Sequence, residues 1–188
     1  NDPTAAAKQV SLTELGSIKI DKEERAKMLK TIPRNSIIGF LIGVLPGAGA
    51  TIASFLAYGM ERNLVSDEEK EKFGKGSIHG LAAPETANNA ACSGAFVPLL
   101  TLGIPGSGTT AVMLGALLGF GIQPGPRLYV TNPEIFWSVI MSMYIGMVIL
   151  LILNLPLIPY IARILAIPKN YLIPLILFFS ITGIYVMS

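Results

Sequence analysis

The 188-residue chain is apolar, with 52% hydrophobic residues, 14% charged residues and a mean hydropathy of +0.59. Soluble domains carry about 25% charged residues, so this composition favours a membrane protein. The net charge of +2 argues against a nucleic-acid-binding protein, and the lone Cys92 excludes an internal disulfide. The chain begins without methionine and ends inside an apolar stretch, so we expect it to be a piece of a longer protein.

The first 35 residues form a polar segment with a basic excess, which predicts the cytoplasmic side of a membrane. Asp21 and Glu24 predict a capping box at a helix start, and Pro33 is predicted to close the segment. Residues 36–188 form the predicted transmembrane region. From residue 78 to the end only five residues are formally charged, so that stretch cannot build a globular surface.

The apolar run 37–60 is long enough to cross a bilayer, but proline and glycine interrupt it. Two topologies fit: a broken spanning helix, or a re-entrant hairpin with both ends on one side. Residues 61–77 predict a polar loop in which Ser66 and Glu69 form a capping box on a short helix.

The remainder predicts helices of different kinds. Residues 78–104 are rich in small and amide residues that permit close helix contact. Thr109–Ile122 is too short to span, and Gln123–Pro126 predicts a turn. Ile135–Leu157 and Tyr171–Met187 are spanning candidates. The predicted fold class is all-α, a polytopic transmembrane helical bundle with broken or re-entrant helices.

One motif occurs twice: residues 45–51 read LPGAGAT, and residues 104–110 read IPGSGTT. We call these the first and second Pro-Gly segments. We expect residues 44–51 and 103–110 to be non-helical and close together at mid-membrane depth. Helices starting at residues 50 and 109 would point free N–H groups at a bound carboxylate. The predicted substrate-binding residues are Gly47, Gly49, Thr51, Asn88, Asn89, Gly106, Ser107, Thr109 and Thr110. The alternative is two structural kinks packed by small residues.

Glu85 is the only acidic residue between Glu71 and Glu134, and an ionisable group at membrane depth is costly. We therefore predict that Glu85 and Asn88 couple transport to an ion, H⁺ or Na⁺. The alternative is that Glu85 caps a helix that starts after Pro84. The only histidine, His79, is predicted to lie at the interface more readily than to relay protons.

Two enzymatic functions are excluded by missing residues. Residues 103–110 match the nucleotide P-loop except that Thr109 replaces the required lysine. A serine hydrolase lacks support because no strand-turn-helix elbow surrounds a serine. We predict no enzyme, no bound metal and no cofactor.

Five ordered motifs together resemble the large permease subunit of the tripartite tricarboxylate transporter family, the TctA type. They are GVLPGAGAT at 43–51, FGKG at 73–76, APETANNA at 83–90, PLLTLGIPGS at 98–107 and QPGP at 123–126. The resemblance covers residues 36–130 in order and implies most of the second half of such a permease.

The resemblance implies a multi-pass permease of the bacterial inner membrane. It implies two partners, a small membrane subunit and a periplasmic solute-binding protein. It implies import of tricarboxylates or other organic carboxylates, driven by an ion gradient instead of ATP. The alternative class is an ion channel or a structural membrane scaffold without coupled transport.

Overall fold

The computed structural model describes residues 20–162 and 169–187, which contain helices and turns but no strand. This confirms the all-α prediction. The helices are α1 (Lys22–Val44), α2 (Gly49–Leu64), α3 (Asp67–Lys70), α4 (Ile78–Gly94), α5 (Phe96–Leu102), α6 (Gly108–Gly119), α7 (Leu128–Thr131), α8 (Pro133–Ala162) and α9 (Lys169–Met187).

The described residues divide into two compact units, 20–140 and 141–162 with 169–187. The second unit contains most of α8 and all of α9, and most of its described large apolar side chains are exposed. Among the described residues, only Pro133–Ile158 is long and apolar enough to cross a membrane. That stretch agrees with the predicted span at 135–157. By helix length and hydropathy, the described residues therefore contain one candidate membrane-spanning helix. A multi-pass helical bundle is a proposal.

Helix α1 begins as predicted and ends later than predicted. Asp21 and Glu24 form the capping box, but α1 continues through Pro33 to Val44. The predicted stop at Pro33 is wrong because residues on both sides of it are held by buried contacts with Glu61, described below. These contacts offset the hydrogen bond that proline removes. The boundary predicted at residue 35 thus lies inside a continuous helix.

Helices α1 and α2 run antiparallel away from the first Pro-Gly segment. Asn35 and Glu61, almost equally far from that segment on either side, are joined by a hydrogen bond of 2.9 Å. This arrangement agrees with the hairpin alternative. It contradicts the alternative of a broken spanning helix, because such a helix continues in one direction and would place Asn35 and Glu61 at its opposite ends.

Helix α4 packs against this hairpin through small residues. A Cβ on Gly39 would lie 2.6 Å from Ala87 Cα, and a Cβ on Gly43 would lie 2.6 Å from Ala91 Cα. In both pairs the partners are 48 positions apart, so α1 and α4 run parallel with constant register. Ala53 and Ala57 of α2 complete this core, in which every side chain is small. The prediction of close helix contact in this region is confirmed.

The predicted polar loop 61–77 is shorter than expected, because α2 extends to Leu64. The predicted Ser66 box does not form, since the Ser66 side chain makes no capping hydrogen bond. Instead, Glu69 accepts hydrogen bonds from Lys72 at 2.8 Å and from Lys27 of α1 at 3.1 Å. These two bonds hold the pKa of the Glu69 carboxyl below its usual range. The segment after α2 is therefore tied to α1.

Candidate functional site

The first Pro-Gly segment leaves the helical path over four residues. Residues 45–48 are turns, and α2 begins at Gly49, one residue before the predicted start. Gly47 and Gly49 have φ of +84° and +66°, values that side-chain-bearing residues rarely adopt. Ala48 stands at the N-cap and provides no side-chain acceptor. The first-turn N–H groups of α2 are therefore not capped by an N-cap side chain.

The second Pro-Gly segment is closed by its own side chains. Residues 103–107 are non-helical, and α6 begins at Gly108, again one residue before the predicted start. Ser107 Oγ accepts a hydrogen bond from Thr110 N at 3.3 Å, and Thr110 Oγ1 accepts one from Ser107 N at 2.8 Å. Thr110 is buried. Two of the predicted hydroxyls thus form a capping box. The expectation that residues 44, 49–51 and 108–110 are non-helical is wrong, because Val44 ends α1 and the other residues begin helices.

The second Pro-Gly segment packs beside the end of α1, two residues before the first segment begins. A Cβ on Gly106 would lie 3.7 Å from Gly43 O in the last turn of α1 and 3.4 Å from Ala95 Cβ. Gly106 is buried at this contact. On the far side of the segment, a Cβ on Gly103 would lie 2.8 Å from Pro124 O, within the predicted turn. The second segment therefore fits between the end of α1 and the 123–126 turn.

The two adjacent asparagines of α4 face different surroundings. Asn88 donates to Ser54 Oγ at 3.3 Å, near the start of α2, so it lies close to the first Pro-Gly segment. Asn89 is exposed and lines a cavity of about 830 Å³ with Glu85. Thr51 and Thr109 are exposed on the first turns of their helices. The structure thus places Asn88 beside the first Pro-Gly segment and separates it from Asn89.

Glu85 occupies the middle of α4 and not its first turn. The helix begins at Ile78 and is capped by Ser77, whose side chain accepts from Gly80 N at 3.1 Å. Pro84 lies inside the helix. The alternative that Glu85 caps a helix starting after Pro84 is therefore wrong. Its carboxylate is exposed at the cavity, about 14 Å along α4 from Gly94, which touches the end of α1.

A buried polar cluster joins α1, α2 and α4 at the opposite end of the hairpin. Glu61 of α2 is fully buried, and both of its carboxylate oxygens lie 2.6 Å from Arg34 Nη2. Asn35 Nδ2 donates to it at 2.9 Å and Thr31 Oγ1 at 3.0 Å. His79 Nδ1 of α4 lies 3.1 Å from Glu61 Oε1 and 2.8 Å from Thr31 Oγ1. We call these five residues the Glu61 cluster.

Sequence reasoning missed this cluster because Glu61 was assigned to the polar loop, beside Arg62 and ahead of several acids. One signal could have revealed it. Glu61 continues the four-residue spacing of Ala53 and Ala57, the buried face of α2. On α1 the buried residues follow the same spacing and are Thr31, Asn35, Gly39 and Gly43. A polar residue in such a stripe must find buried partners.

Comparison with known proteins identifies the family. The Tripartite tricarboxylate transporter TctA family matches residues 1–188, and the chain belongs to it. Members of this family are transporters. Separately, within the described residues no group of three His, Cys, Asp or Glu side chains could hold a metal ion. The resemblance noted in the sequence is thereby confirmed. No solved structure matches the chain.

Two relatives from Agrobacterium vitis are similar over most of this chain. An uncharacterized 52.8 kDa protein in the TAR-I ttuC' 3' region is 42% identical over 178 residues, which are 95% of this chain and 35% of that protein. An uncharacterized protein in the TAR-II ttuC' 3' region is 48% identical over 147 residues, 78% of this chain and 60% of that protein. The chain thus spans between a third and two thirds of these relatives.

Proposed function

We propose that this chain is part of a multi-pass permease in the bacterial inner membrane that imports tricarboxylates or other organic carboxylates. An ion gradient drives the import. A periplasmic solute-binding protein delivers the substrate, and a small membrane subunit completes the assembly. The family supports a transporter, and the packing of Gly106 beside the end of α1, two residues before the first Pro-Gly segment, supports a substrate site within this chain.

The proposed substrate site is the region where Gly106 meets the end of α1. The proposed donors are the N–H groups of Gly47, Gly49 and Thr51, in and just before the first turn of α2, a helix that starts without a capping side chain. The dipole of α2 favours a carboxylate at this end. Asn88 adds an amide group beside the start of the same helix.

The second Pro-Gly segment contributes in a different way. Its capping box engages Ser107 and Thr110, so this pair fixes the start of α6, and Ser107 as a residue is half-buried. Thr109 is exposed on the first turn and offers a hydroxyl to the substrate. Asn89 and Glu85 belong to the cavity on the other face of α4. The roles predicted for Asn89 in substrate binding and for Glu85 with Asn88 in ion coupling stay predictions.

Uptake by the full-length transporter tests this function. The complete permease, small subunit and binding protein are expressed in a strain without a native carboxylate permease. A panel of radiolabelled di- and tricarboxylates is then offered. We expect saturable uptake of at least one carboxylate, lost when the binding protein is omitted and abolished by dissipating ion gradients. Non-saturating ion current without a need for the binding protein would instead identify a channel.

A further inference from the structure

The cavity of about 830 Å³ that Glu85 lines lies between α1 and α4, and we call it the α1–α4 groove. We propose that in the complete permease a helix from the part of the polypeptide outside this chain occupies this groove. That helix carries a lysine or arginine that pairs with Glu85. The inference goes beyond the proposed substrate site, because it concerns a surface through which the permease is assembled.

The walls of the groove have the spacing of helix ridges. The α1 side is lined by Ile20, Glu24, Met28 and Ile32, and the α4 side by Leu81, Glu85 and Asn89. In both rows the residues are four positions apart. Such rows form ridges about 12–18 Å long here, and helices pack by inserting the ridges of one into the grooves of another. The shape of this surface therefore suits a third helix.

The lining of the groove is mainly apolar, but it is not a surface for lipid chains alone. Leu81 is 66% exposed, and Ile20 and Ile32 are also exposed. Glu85 lies in the same α4 row as Leu81 and is exposed too. Lipid chains cover apolar side chains but do not compensate a carboxylate. A protein helix covers both when it presents a polar partner to Glu85.

The position of Glu85 along the helices makes that partner necessary. In the register that pairs Gly39 with Ala87, Glu85 is level with Ile37, which lies beyond Arg34, the last charged residue of α1. On α2, Ser54 Oγ donates to Pro84 O at 3.2 Å, seven positions before the first charged residue of that helix. Glu85 thus lies at a level where α1 and α2 carry no charge. An ionisable group in such surroundings pairs with another group or with water.

The charges of the groove favour a basic partner. The only charged residues that line it are Glu24 and Glu85. Glu24 is already engaged, because its carboxylate accepts a hydrogen bond from Asp21 N at 3.0 Å. The Glu85 carboxylate has no hydrogen bond or ion pair with another described residue, and Lys75 nearby is exposed and does not line the groove.

A second acceptor lies one turn further along α4. Asn89 Nδ2 donates to Glu85 O at 3.1 Å, which leaves the amide oxygen of Asn89 for a donor. Lysine and arginine side chains only donate hydrogen bonds, so either can engage the Glu85 carboxylate and the Asn89 oxygen together. This chemistry defines the side chain that the docked helix brings.

The length of a relative indicates where this helix comes from. The protein in the TAR-I ttuC' 3' region is matched over 35% of its length, so most of a permease of that size lies outside this chain. We therefore assign the helix to the same polypeptide. A helix from a separate subunit is an outcome that the experiment distinguishes.

Site-directed photo-cross-linking in the complete transporter tests the proposal. Benzoylphenylalanine replaces Leu81 on the α4 wall or Met28 on the α1 wall, and mass spectrometry identifies the captured peptide. The control position is Leu29, which is 68% exposed but does not line the groove. We expect both wall positions to capture one helix of the permease from outside this chain, with a lysine or arginine within about two turns of the captured residue. The control should not capture that helix.

A charge reversal then tests the ion pair. Glu85→Lys should lower the yield of the Leu81 cross-link about fivefold or more, because it places like charges together. Replacing the basic residue of the captured helix by glutamate in the same protein should restore the yield to within about twofold. A yield unchanged by Glu85→Lys would overturn the pairing.

The identity of the captured molecule decides the rest. Capture of lipid alone, of a separate subunit, or of a helix without a basic residue would overturn the proposal, as would the absence of any product from both walls. If the probe at Leu81 prevents folding, the probe at Met28 decides. Cross-linking does not require transport, so a transporter that moves no carboxylate would refute the proposed function without affecting this result.

Discussion

Gly43 of α1 lies against the backbone of Ala91 of α4, so closely that a Cβ on Gly43 would lie 2.6 Å from Ala91 Cα. Gly39 and Ala87 repeat this contact one turn earlier. Small residues let two helices approach until their backbones touch. Helices in a bilayer associate through such close packing, because the hydrophobic effect does not drive them together there. This contact holds α4 against the hairpin, and the same Gly43 lies beside Gly106 of the second Pro-Gly segment.

Substitution of Gly43 therefore has a sharp expected effect. Gly43→Ala places a methyl group against backbone atoms of Ala91, which cannot move aside as a flexible side chain could. We therefore expect the free energy of unfolding to fall by about 1–3 kcal/mol. Thermal unfolding of the purified permease in detergent measures it. The matched control is Gly59→Ala in α2, where a Cβ meets nothing within 4 Å and alanine favours the helix. Equal melting temperatures for both variants would contradict the contact.

Glu61→Gln tests the buried ion pair. The substitution keeps the shape of the side chain but removes the charge that faces Arg34, and breaking a buried pair costs up to about 3 kcal/mol. Arg34 is 39% exposed, so water recovers part of this loss. The control is Glu68→Gln, which touches an exposed pair with Lys72 at 3.8 Å and should change stability by less than about 1 kcal/mol. A Glu61→Gln permease as stable as the control would place Glu61 outside any buried pair.

The sequence indicated much of this fold because the informative residues are close together along the chain. Proline and glycine mark both segments within seven residues, and the helices that follow begin one residue from the predicted starts. The Asp21 capping box is a contact between neighbours in sequence. Local chemistry of this kind can be predicted without knowing which helices meet.

The errors concern contacts between distant residues. Pro33 was predicted to close its segment, but Glu61, twenty-eight positions away, stabilises α1 on both sides of it. Glu61 was assigned to the polar loop, since no pattern near it identifies Thr31, Arg34 and His79 as its partners. Glu85 drew attention because it is isolated in the sequence. Its position on α4 is exposed, while the buried carboxylate is Glu61.

Gly106 tests the packing of the second Pro-Gly segment against the end of α1. A single Cβ fits there at ordinary contact distance, so Gly106→Ala should transport within about threefold of wild type, whereas Gly106→Val adds branches that press on Gly43 and Ala95. We expect the valine variant to lose most uptake. The control is Gly115→Val in α6, where a Cβ meets nothing within 4 Å. Normal uptake by Gly106→Val would mean that its contact with α1 is not needed for transport.

Ser107 separates helix capping from substrate binding. Ser107→Ala removes the α6 cap and one hydroxyl, so we expect about 1 kcal/mol less stability and a threefold to tenfold weaker apparent affinity, with maximal rate less affected. Ser107→Asn restores a capping side chain and should recover the stability. Uptake kinetics and thermal unfolding of both variants measure the two effects. An unchanged apparent affinity in Ser107→Ala would assign Ser107 to capping alone.

A structure of the complete transporter with a carboxylate bound tests the central claim most directly. The account predicts a carboxylate oxygen within hydrogen-bond distance of the backbone N–H groups at Gly49–Thr51, beside Asn88 and next to the contact of Gly106 with the end of α1. A substrate bound elsewhere, with the first turn of α2 unoccupied, would contradict the account. The cavity lined by Glu85 and Asn89 is the specific competing location in this chain.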